Sequence, residues 1–587
     1  MSQLAQRNIA KYAVDLVAAL GSDTVFCLTG GMAMHLNRAV AEQPGLKPVY
    51  CQHEQACVAA AEGYSKAADF RKAGFAVVTA GPGVSNSVTS LISAYGDSTP
   101  MIVLAGQIKT EDIDVYSTRT HGIQEIRSQA VITPCVKRFV RLGSADFRDV
   151  LVQSMADTFA GRPGPVFIEI PLDIQGVAVE YTEADVQADV ERIRKAAFLA
   201  TADGAAKLRG CLEALLSASR PLLYVGNGCR VAGVEQTVRD FLAKHEIPAV
   251  FSWLSLDILP ASDPLHFGCP GGLAPISSNE ILGRADTIVF LGARLDLGTT
   301  AFQRRDFGGQ AQRYFIDIDE QELSKFSGFD GAVCVKADLR NLPASVSGLS
   351  LAGKAESGWL TWCMERRENY LAEERQRLCS TKMNVYGIAR RLSAWSDAKV
   401  FVPASSGYAE ETLTRFFESG EDTRFFNGAA LGSMGLGLPH AIGASFGSPR
   451  RVICCEADGG LMLNLQELAT LVHYAPKGFV LFVLDNAGYE SIRASQTRHF
   501  GIVAGVDRES GLYIPDLSKL AAAFGLRYVA IETLDALDEL LPKLDAGAPP
   551  VMVDLKIERF EYRGPSVKTI MGADGKPSTT PLAEISW

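Results

Sequence analysis

The chain has 587 residues, a length that predicts three or four domains of about 150 residues each. Its composition, 47% hydrophobic and 21% charged, is that of a globular protein with several buried cores. The net charge of −10 and the pI near 5.5 argue against nucleic-acid or anionic-membrane partners, which are bound by basic patches.

The cysteines point to the cellular compartment. All twelve occur without a C-x-x-C motif, and Cys454 and Cys455 are adjacent inside an apolar run. Such cysteines are usually small core residues, so we expect free thiols and a reducing, cytoplasmic location. Residues 1–20 mix charged and apolar side chains, which predicts an amphipathic first helix rather than a signal peptide. The chain has no run of about 18 apolar residues, so no membrane span is expected.

The first block, residues 1–180, alternates strand-like runs with helix-like segments. In chain order these are "DTVFCLTGG", "HEQACVAAAEGYSKAA", "GFAVVTAGPGVSNSVTSLISAYG", "MIVLAGQ" and "GPVFIEIPLDI". Strands that alternate with helices are typical of parallel α/β layers. The charged stretch "EYTEADVQADVERIRKAA" that follows is expected to be a linker or a surface helix.

Two further blocks have the same character. Residues 195–350 contain "PLLYVGNGC", "ADTIVFLGARLD" and "RYFIDIDEQEL", and residues 370–560 run from "AKVFVPASSG" to "PPVMVDLKI". A polar, Gly/Pro-rich tail, residues 561–587, is expected to cover them. The sequence therefore predicts an α/β fold of three consecutive parallel-sheet domains, the central one Rossmann-like.

Two polar residues end neighbouring apolar runs of the third block. Asp458 follows "VICCEA", and Asn486 follows "FVLFVLD". Strand ends of parallel sheets gather ligand-binding residues, and carboxylate, amide and carbonyl oxygens suit Mg²⁺. The glycines after Asp458 allow a phosphate to approach the backbone. The alternative is that Asp458 merely caps the helix predicted at "LNLQELATLVHY".

This stretch resembles the diphosphate-binding motif of thiamine diphosphate (ThDP) enzymes, in which Gly-Asp-Gly is followed at a similar distance by Asn-Asn. Here the motif reads Ala457-Asp458-Gly459, residues 460–484, then Asp485-Asn486. The two changed positions are not the metal ligands of the family. The resemblance implies Mg²⁺ bound by Asp458, Asn486 and the main-chain carbonyl of Gly488.

Three further matches follow the family order along the chain. "QHEQACVAAAEGYSKA" resembles the helix of the catalytic glutamate, here Glu54, and "TAGPGVSNSVTSL" resembles the segment near the cofactor pyrimidine, here with Pro82 and Asn86. "GAALGSMGLGLPHAIGA" resembles the segment whose bulky residue, here Met434, keeps the cofactor bent. The chain is identified as a member of the ThDP enzymes, in the acetolactate synthase-like branch.

The resemblance assigns chemistry to Glu54. ThDP supplies the carbanion chemistry and the protein supplies geometry and proton control. A carboxyl group at Glu54 is expected to hydrogen-bond the pyrimidine, and poor solvation on an Ala-rich helix raises the pKa of a carboxyl group and helps it to share a proton. Taken alone, the "HEQ" segment would instead suggest an ordinary surface glutamate.

The remaining expected site residues also come from the resemblance. Diphosphate contacts are expected from the third block, at Ser406, Gly407, Tyr408, Gly459 and Gly460, and Tyr489 is expected to contact the cofactor. The active site is expected to be lined by Gly30, Gly31 and Gln124. His53 and His121 are candidate proton shuttles or ordinary core or surface histidines, and His440 is expected to be structural.

A flavin is expected in the central domain, because "YVGNGC", Arg294 and "FIDIDEQELSK", which contains Asp317, resemble the contacts of FAD in the synthase branch. The alternative is a central domain that is empty or holds ADP. The two halves of a ThDP site usually come from different subunits in this family, which implies a homodimer or a dimer of dimers acting on small-molecule substrates.

Two departures bear on the reaction. The acetolactate synthases have an acceptor-binding Arg where this chain has Gly298, and a Trp where it has Ser495. Losing an arginine that pairs with a carboxylate favours a neutral acceptor. "GYESIRASQ" and the tail resemble carboligases of polysaccharide gene clusters, including the YerE type. We therefore expect a carboligase that decarboxylates pyruvate and adds the two-carbon unit to an aldehyde or ketone. The alternatives are an acetolactate synthase, a simple 2-oxo acid decarboxylase, and a non-catalytic ThDP-fold protein.

Overall fold

The computed structural model describes residues 7–113, 119–120, 122–197, 203–349, 355–380, 382–395, 398–428, 430–561, 564–571 and 577–587. Three sheets succeed one another along these residues, and every strand pair in each of them is parallel. The predicted class, α/β with three consecutive parallel-sheet domains, is confirmed. The proposed domain boundaries stay predictions.

The first sheet has six strands in the order β2-β1-β3-β4-β6-β5. Its strands are β1 Thr24–Cys27, β2 Lys47–Tyr50, β3 Gly74–Val78, β4 Met101–Gln107, β5 Arg138–Arg141 and β6 Pro165–Pro171. Its helices are α1 Ile9–Ala19, α2 Met34–Ala41, α3 Glu54–Ala67, α4 Pro82–Gly96, α5 Ser128–Ile132, α6 Phe147–Phe159, α7 Leu172–Gln175 and α8 Glu183–Ala197. Strands β3, β4 and β6 are buried along their whole length, which explains why they are largely apolar. Helix α8, expected as a linker or surface helix, packs Val190 and Ile193 into this domain's core.

The central sheet has five strands in the order β11-β10-β9-β7-β8. Its strands are β7 Pro221–Val225, β8 Ala249–Phe251, β9 Thr287–Leu291, β10 Gln312–Asp317 and β11 Ala332–Lys336. The helices of this region are α9 Asp203–Leu216, α10 Gly228–Val231, α11 Glu235–His245, α12 Ile276–Arg284, α13 Glu320–Ser324, α14 Leu342–Val346 and α15 Trp359–Leu378.

The third sheet has six strands in the order β13-β12-β14-β15-β17-β16. Its strands are β12 Lys399–Pro403, β13 Thr423–Phe425, β14 Arg451–Ala457, β15 Val480–Asp485, β16 Arg527–Ile531 and β17 Val551–Lys556. Its helices are α16 Val385–Ala394, α17 Gly407–Phe416, α18 Gly437–Gly447, α19 Asp458–Leu461, α20 Glu467–Tyr474, α21 Glu490–Phe500, α22 Leu517–Phe524 and α23 Leu534–Leu540. Helix α20 is shorter than predicted, because a 3-10 turn over Met462–Asn464 precedes it.

The tail returns to the central domain. It forms a short antiparallel hairpin of β18 Thr569–Met571 and β19 Pro577–Thr579. The Gln303 side chain donates to the Thr579 hydroxyl at 2.8 Å, and Trp587 stacks on Tyr370 with ring centroids 5.8 Å apart. The described parts of the tail thus pack on the central region, and the tail's role as a cover stays a prediction. Among the helices of the described ranges, none combines the length and the apolar character that crossing a membrane requires.

Helices α3 and α18 join the first domain to the third by direct backbone contact. A Cβ atom added to Gly63 would lie 2.0 Å from the carbonyl oxygen of His440, and one added to Gly443 would lie 1.8 Å from that of Ala60. Real Cβ atoms do not approach backbone this closely. Glycine at these positions is therefore what allows the two helices to touch.

A fully buried group of charges lies at the same contact. The Lys66 ammonium is 2.7 Å from a Glu62 oxygen and 2.7 Å from an Asp97 oxygen. His440, expected to be structural, places Nε2 3.1 Å from the other Glu62 oxygen. Because each buried charge has an opposite charge within hydrogen-bonding distance, the cluster avoids the high cost of an unpaired ion.

Replacing Gly443 with alanine is expected to destabilise the protein, because the new Cβ would strike the Ala60 carbonyl, which cannot turn away. Overpacking of this kind costs about 1–3 kcal/mol. The apparent unfolding midpoint in a thermal scan measures the effect. Gly210 is the matched control, since it is an exposed glycine of helix α9 whose added Cβ would have no atom within 4 Å. Helix propensity predicts that Gly210→Ala is neutral or slightly stabilising. Equal midpoints for the two variants would contradict this account.

Candidate active site

The two polar residues of the third block lie at one edge of the sheet. Asp458 opens helix α19 directly after β14, and Asn486 follows β15. Strands β14 and β15 are parallel neighbours, with Ala457 in register with Leu484. Asp458 is fully buried and Asn486 is nearly so. The fold therefore brings together the two side chains that the sequence singled out, at the carboxyl edge where parallel sheets bind ligands.

The Asp458 carboxylate and the Asn486 side-chain oxygen differ in their hydrogen bonding. Asp458 accepts hydrogen bonds from the Gly459 amide at 2.7 Å and from the Gly488 amide at 2.9 Å. Among the described residues, no donor pairs with the buried Asn486 side-chain oxygen. Hard divalent cations bind carboxylate and amide oxygens. A buried amide oxygen without a hydrogen-bond donor is therefore available to a cation, and these residues fit the predicted magnesium ion.

The ionisation of Asp458 depends on its surroundings. Burial, and then the charge of Asp485, raises the pKa of Asp458 to about 8. A divalent cation on this carboxylate would reverse that effect by favouring the ionised form. Gly488 has φ 151°, and a Cβ there would lie 2.1 Å from the Val506 carbonyl oxygen, so only glycine fits this loop.

The glycines around Asp458 leave no room for side chains. A Cβ on Gly459 would lie 2.3 Å from the Tyr489 ring, and one on Gly460 would lie 2.4 Å from a Glu456 oxygen.

A neighbouring helix, α17, begins at Gly407, and a Cβ there would lie 3.8 Å from the Ser491 hydroxyl at the start of α21. The amino termini of two helices thus adjoin, an arrangement that suits an anionic group such as a diphosphate.

Ser406 and Tyr408 flank the start of α17. Ser406 is the residue before the helix and carries an extended backbone. The hydroxyl of Tyr408 donates to Glu561 at the start of the tail. Tyr408 therefore joins α17 to the tail through its hydroxyl, and its predicted diphosphate contact stays a prediction.

The loop that carries Met434 is held from two sides. The Ser405 hydroxyl donates to the Ser433 carbonyl at 2.6 Å, and the Asn464 amide donates to the Gly435 carbonyl at 2.8 Å. Gly435 has φ 85°, a conformation that favours glycine. Met434 itself is half-buried. These contacts fix the loop on which the bulky residue stands.

Glu54 is the first residue of α3 and is buried. Its carboxylate accepts a hydrogen bond from the Asn86 amide at 2.9 Å, which brings together two of the predicted pyrimidine-side residues. Pro82 opens helix α4, on which Asn86 lies. His53 caps α3, because its Nδ1 accepts from the Gln55 amide at 3.1 Å. A capping role accounts for His53 without a proton shuttle.

Two buried residues of the third domain support the segment before Glu54, and sequence reasoning missed both. Glu467 accepts from the Gln52 amide at 3.0 Å and from the Thr470 hydroxyl at 2.7 Å. Burial raises the pKa of Glu467 to about 7. Asn464 reaches the Gln55 side chain at 3.4 Å. The available signal was a pair of polar residues in the apolar stretch "LMLNLQELATL".

The predicted residues of the first domain's loops are partly brought together. Gly81 has φ 62°, and its Cβ would lie 2.6 Å from the carbonyl oxygen of Gln124, so Gln124 adjoins the loop before α4. A Cβ on Gly30 would lie 2.4 Å from Thr79, whereas Gly31 has no atom within 4 Å of that position. His121 lies outside the described residues.

A cavity of about 570 Å³ separates the central domain from the first domain, and both Arg294 and Asp317 line it. Arg294 pairs with Asp296 at 2.8 Å. Burial raises the pKa of Asp317 to about 6. Within the described part of the chain, the buried Tyr224 hydroxyl and Asn227 side-chain oxygen at this cavity have no hydrogen-bonding group. These unpaired polar atoms fit a polar ligand such as a nucleotide.

Three parallel α/β domains, with a carboxylate and an unpaired amide at the carboxyl edge of the third sheet, define the class of ThDP-dependent enzymes. Three family models match the chain in order. They are the N-terminal TPP binding domain of thiamine pyrophosphate enzymes at residues 7–131, the central domain at 208–342 and the C-terminal TPP binding domain at 405–555. The chain belongs to the thiamine pyrophosphate enzyme family, as predicted.

The chain is also similar to curated acetolactate synthases. The chain is 28% identical to the acetolactate synthase isozyme 2 large subunit of Escherichia coli, over 95% of this chain and 97% of that protein. It is 26% identical to the acetolactate synthase large subunit of Lactococcus lactis, over 94% of this chain and 93% of that protein. A third relative is the acetolactate synthase of Arthrospira platensis, 26% identical over 94% and 95%. The chain is therefore an acetolactate synthase-like, ThDP-dependent enzyme, and its particular closeness to the YerE type stays a prediction.

Glu410 of helix α17 is a buried acid beside the site, and one of its oxygens has no hydrogen-bonding group among the described residues. Burial raises the pKa of Glu410 to about 8, and the charges of Glu411 and Asp97 add to this effect. The folded protein therefore keeps a proton on Glu410 that the unfolded chain, with a carboxyl pKa of about 4.3, releases.

The contribution of Glu410 to stability is expected to fall as the pH rises from about 4.5 to 8, because folding must then take up a proton. Glu410→Gln removes this titration. We expect its free energy of unfolding to equal that of the wild type at pH 5. At pH 8 it should exceed that of the wild type by at most a few kcal/mol, which raises the unfolding midpoint. Glu539→Gln, on the exposed face of α23, is the control and should follow the wild type. Parallel pH profiles for all three proteins would contradict the assignment.

Proposed function

We propose that this enzyme decarboxylates a 2-oxo acid, with pyruvate favoured, and joins the resulting two-carbon unit to a second carbonyl compound. The observation that carries the proposal is the buried pair of Asp458 and the unpaired Asn486 oxygen, at the strand ends where the family holds its metal and diphosphate. The Glu54–Asn86 contact supports a complete set of catalytic groups and counts against a non-catalytic ThDP-fold protein.

The residues divide the work among them. When bound, ThDP would supply the carbanion chemistry that decarboxylation of a 2-oxo acid requires. Asp458, Asn486 and the Gly488 carbonyl would hold Mg²⁺, and the amino termini of α17 and α21 would receive the diphosphate. Glu54 would hold a proton at the pyrimidine, and Asn86 orients its carboxylate.

The curated relatives support acetolactate formation more than an aldehyde or ketone acceptor, because each named above is an acetolactate synthase. Two residues support the aldehyde or ketone. Gly298 and the exposed Ser495 stand where that family has its acceptor-binding Arg and its Trp. Both acceptors therefore stay in the proposal, and one experiment separates them.

We also propose FAD in the central cavity. The unpaired Tyr224 hydroxyl and Asn227 oxygen, the half-buried Asp317 and the arginine Arg294 support a nucleotide there. Nucleotide released by acid from purified protein tests the assignment. FAD is expected. ADP alone, or no nucleotide, would contradict it.

The proposed assembly is a homodimer or a dimer of dimers. Among the described residues, no hydrogen bond or ion pair joins the Glu54–Asn86 contact to Asp458 or Asn486. The resemblance to ThDP enzymes, in which the two halves of the site usually come from different subunits, supports a site completed by a second copy. All twelve cysteines, each in a described segment, are free, which supports the proposed cytoplasmic location.

Product analysis with pyruvate and a panel of aldehydes, ketones, 2-oxo acids and a ketosugar nucleotide identifies the acceptor. An aldehyde or ketone adduct is expected if Gly298 and Ser495 reflect a neutral acceptor. Acetolactate as the main product would establish the synthase alternative, and free acetaldehyde a simple decarboxylase. No consumption of pyruvate or any other 2-oxo acid would overturn the proposal.

A matched double variant, Gly298→Arg with Ser495→Trp, restores the two synthase residues. It is expected to shift product toward acetolactate, because a guanidinium can pair with the acceptor carboxylate. A Cβ at Gly298 has its nearest atom at 3.3 Å, so the loop needs only a small adjustment. An unchanged product ratio would show that these positions do not select the acceptor.

A further inference from the structure

Asp485 departs from the family motif, which has an asparagine there, and the structure shows what accompanies the change. Asp485 is the last residue of β15, and the residue in register with it on β17 is Lys556. The two side chains therefore leave neighbouring strands at the same level of the sheet edge. That edge is the one that carries Asp458 and Asn486.

Lys556 contacts two carboxylates. Its ammonium forms an ion pair with Asp485 and lies 2.7 Å from an Asp554 oxygen. Asp554 is fully buried and also accepts from the Tyr528 hydroxyl at 2.6 Å. The second oxygen of Asp485 accepts from the Ala487 amide at 3.0 Å, inside the loop that presents Asn486. Asp485 is thus held by a cation on one side and by the backbone on the other.

The carboxylates at this edge repel one another. Asp458 and Asp485 lie at the ends of two adjacent strands and Asp554 lies inside the third, β17, whereas an asparagine at position 485 would leave only two carboxylates. A diphosphate would bring further negative charge to the same place. A bare aspartate at position 485 is therefore unfavourable for binding.

We propose that Lys556 is a positioning residue that compensates Asp485, and thereby lets this chain bind an Mg²⁺–diphosphate group despite the extra carboxylate in its motif. Its ammonium pairs with the Asp485 carboxylate from the β17 side and offsets its charge. This inference rests on the proposed function, because it takes Asp458 and Asn486 as the metal ligands.

The simpler reading is a solvated surface ion pair, which contributes little. The Lys556 side chain is 42% exposed, but that of Asp485 is only 16% exposed and Asp554 is fully buried. Both carboxylates therefore depend on Lys556 for part of the stabilisation that water would provide. The pair is expected to influence an anion bound beside it, which an isolated surface pair would not do.

The test measures the concentration of ThDP that half-saturates the metal-free, cofactor-free protein, by fluorescence quenching at saturating Mg²⁺. Lys556→Met removes the charge but keeps the length, and it is expected to raise that concentration about three- to tenfold. The difference in half-saturating ThDP concentration between Lys556→Met and the wild type should be smaller at high than at low NaCl, because salt screens the unpaired carboxylate. Lys556→Arg keeps the charge and should stay within about twofold of the wild type.

A double-mutant cycle identifies the carboxylate through which Lys556 acts. In Asp485→Asn/Lys556→Met the extra carboxylate is absent, so ThDP binding should return to within about twofold of the wild type. Asp485→Asn alone should bind as well as the wild type or better. It keeps the test decisive if Lys556→Met does not fold, which the unfolding midpoint of each cofactor-free variant reports.

Three results would overturn the inference. They are wild-type ThDP binding by Lys556→Met, a loss that persists undiminished in the double variant, and weakened binding by Asp485→Asn alone. A wild-type protein that binds ThDP equally well without a divalent cation would remove the metal assignment itself. That result is distinct, because it appears before any variant is compared.

Discussion

The backbone contact between α3 and α18 constrains the positions of both half-sites. Helix α3 begins at Glu54, and α18 begins shortly after Met434, so the two helices fix a pyrimidine-side residue and a cofactor-bending residue relative to each other. Gly63 and Gly443 make this approach possible, because a side chain on either would strike the backbone of the facing helix. The first and third domains are thereby held at one fixed separation.

Buried polar groups also join the first and third domains, beside the close contact that Gly63 and Gly443 permit. Lys66 pairs with Glu62 and Asp97 at this contact, and Glu62 also lies within hydrogen-bonding distance of His440. Glu467 and Asn464 hold the segment that leads to Glu54. Each of these groups is inaccessible to water, so each would be costly without its hydrogen bonds. The segment before Glu54 therefore depends on the third domain of the same chain for its position.

The sequence predicted what depends on local pattern and failed where distant residues meet. Alternating apolar runs were enough for the three parallel sheets, and a carboxylate and an amide after two buried strands were enough for the proposed metal site. Glu467 and Lys556 escaped prediction because their roles arise from residues far away in the chain, Gln52 and Asp485. The shortened helix α20 shows the same limit, since the turn before it is fixed by the Asn464 contact to Gly435. Hydrophobic periodicity carries no information about such contacts.

The central claim is that Glu54 acts on a ThDP molecule that Asp458 and Asn486 hold through a metal. The most direct measurement compares Glu54→Gln with wild-type protein for two quantities, Mg²⁺-dependent ThDP binding and pyruvate consumption, with Glu539→Gln as a surface control. The glutamine can still accept from Asn86 but cannot share a proton in the same way. The account predicts ThDP binding within about tenfold of the wild type and a loss of turnover of at least about 100-fold. Pyruvate consumption that survives Glu54→Gln unchanged would contradict it.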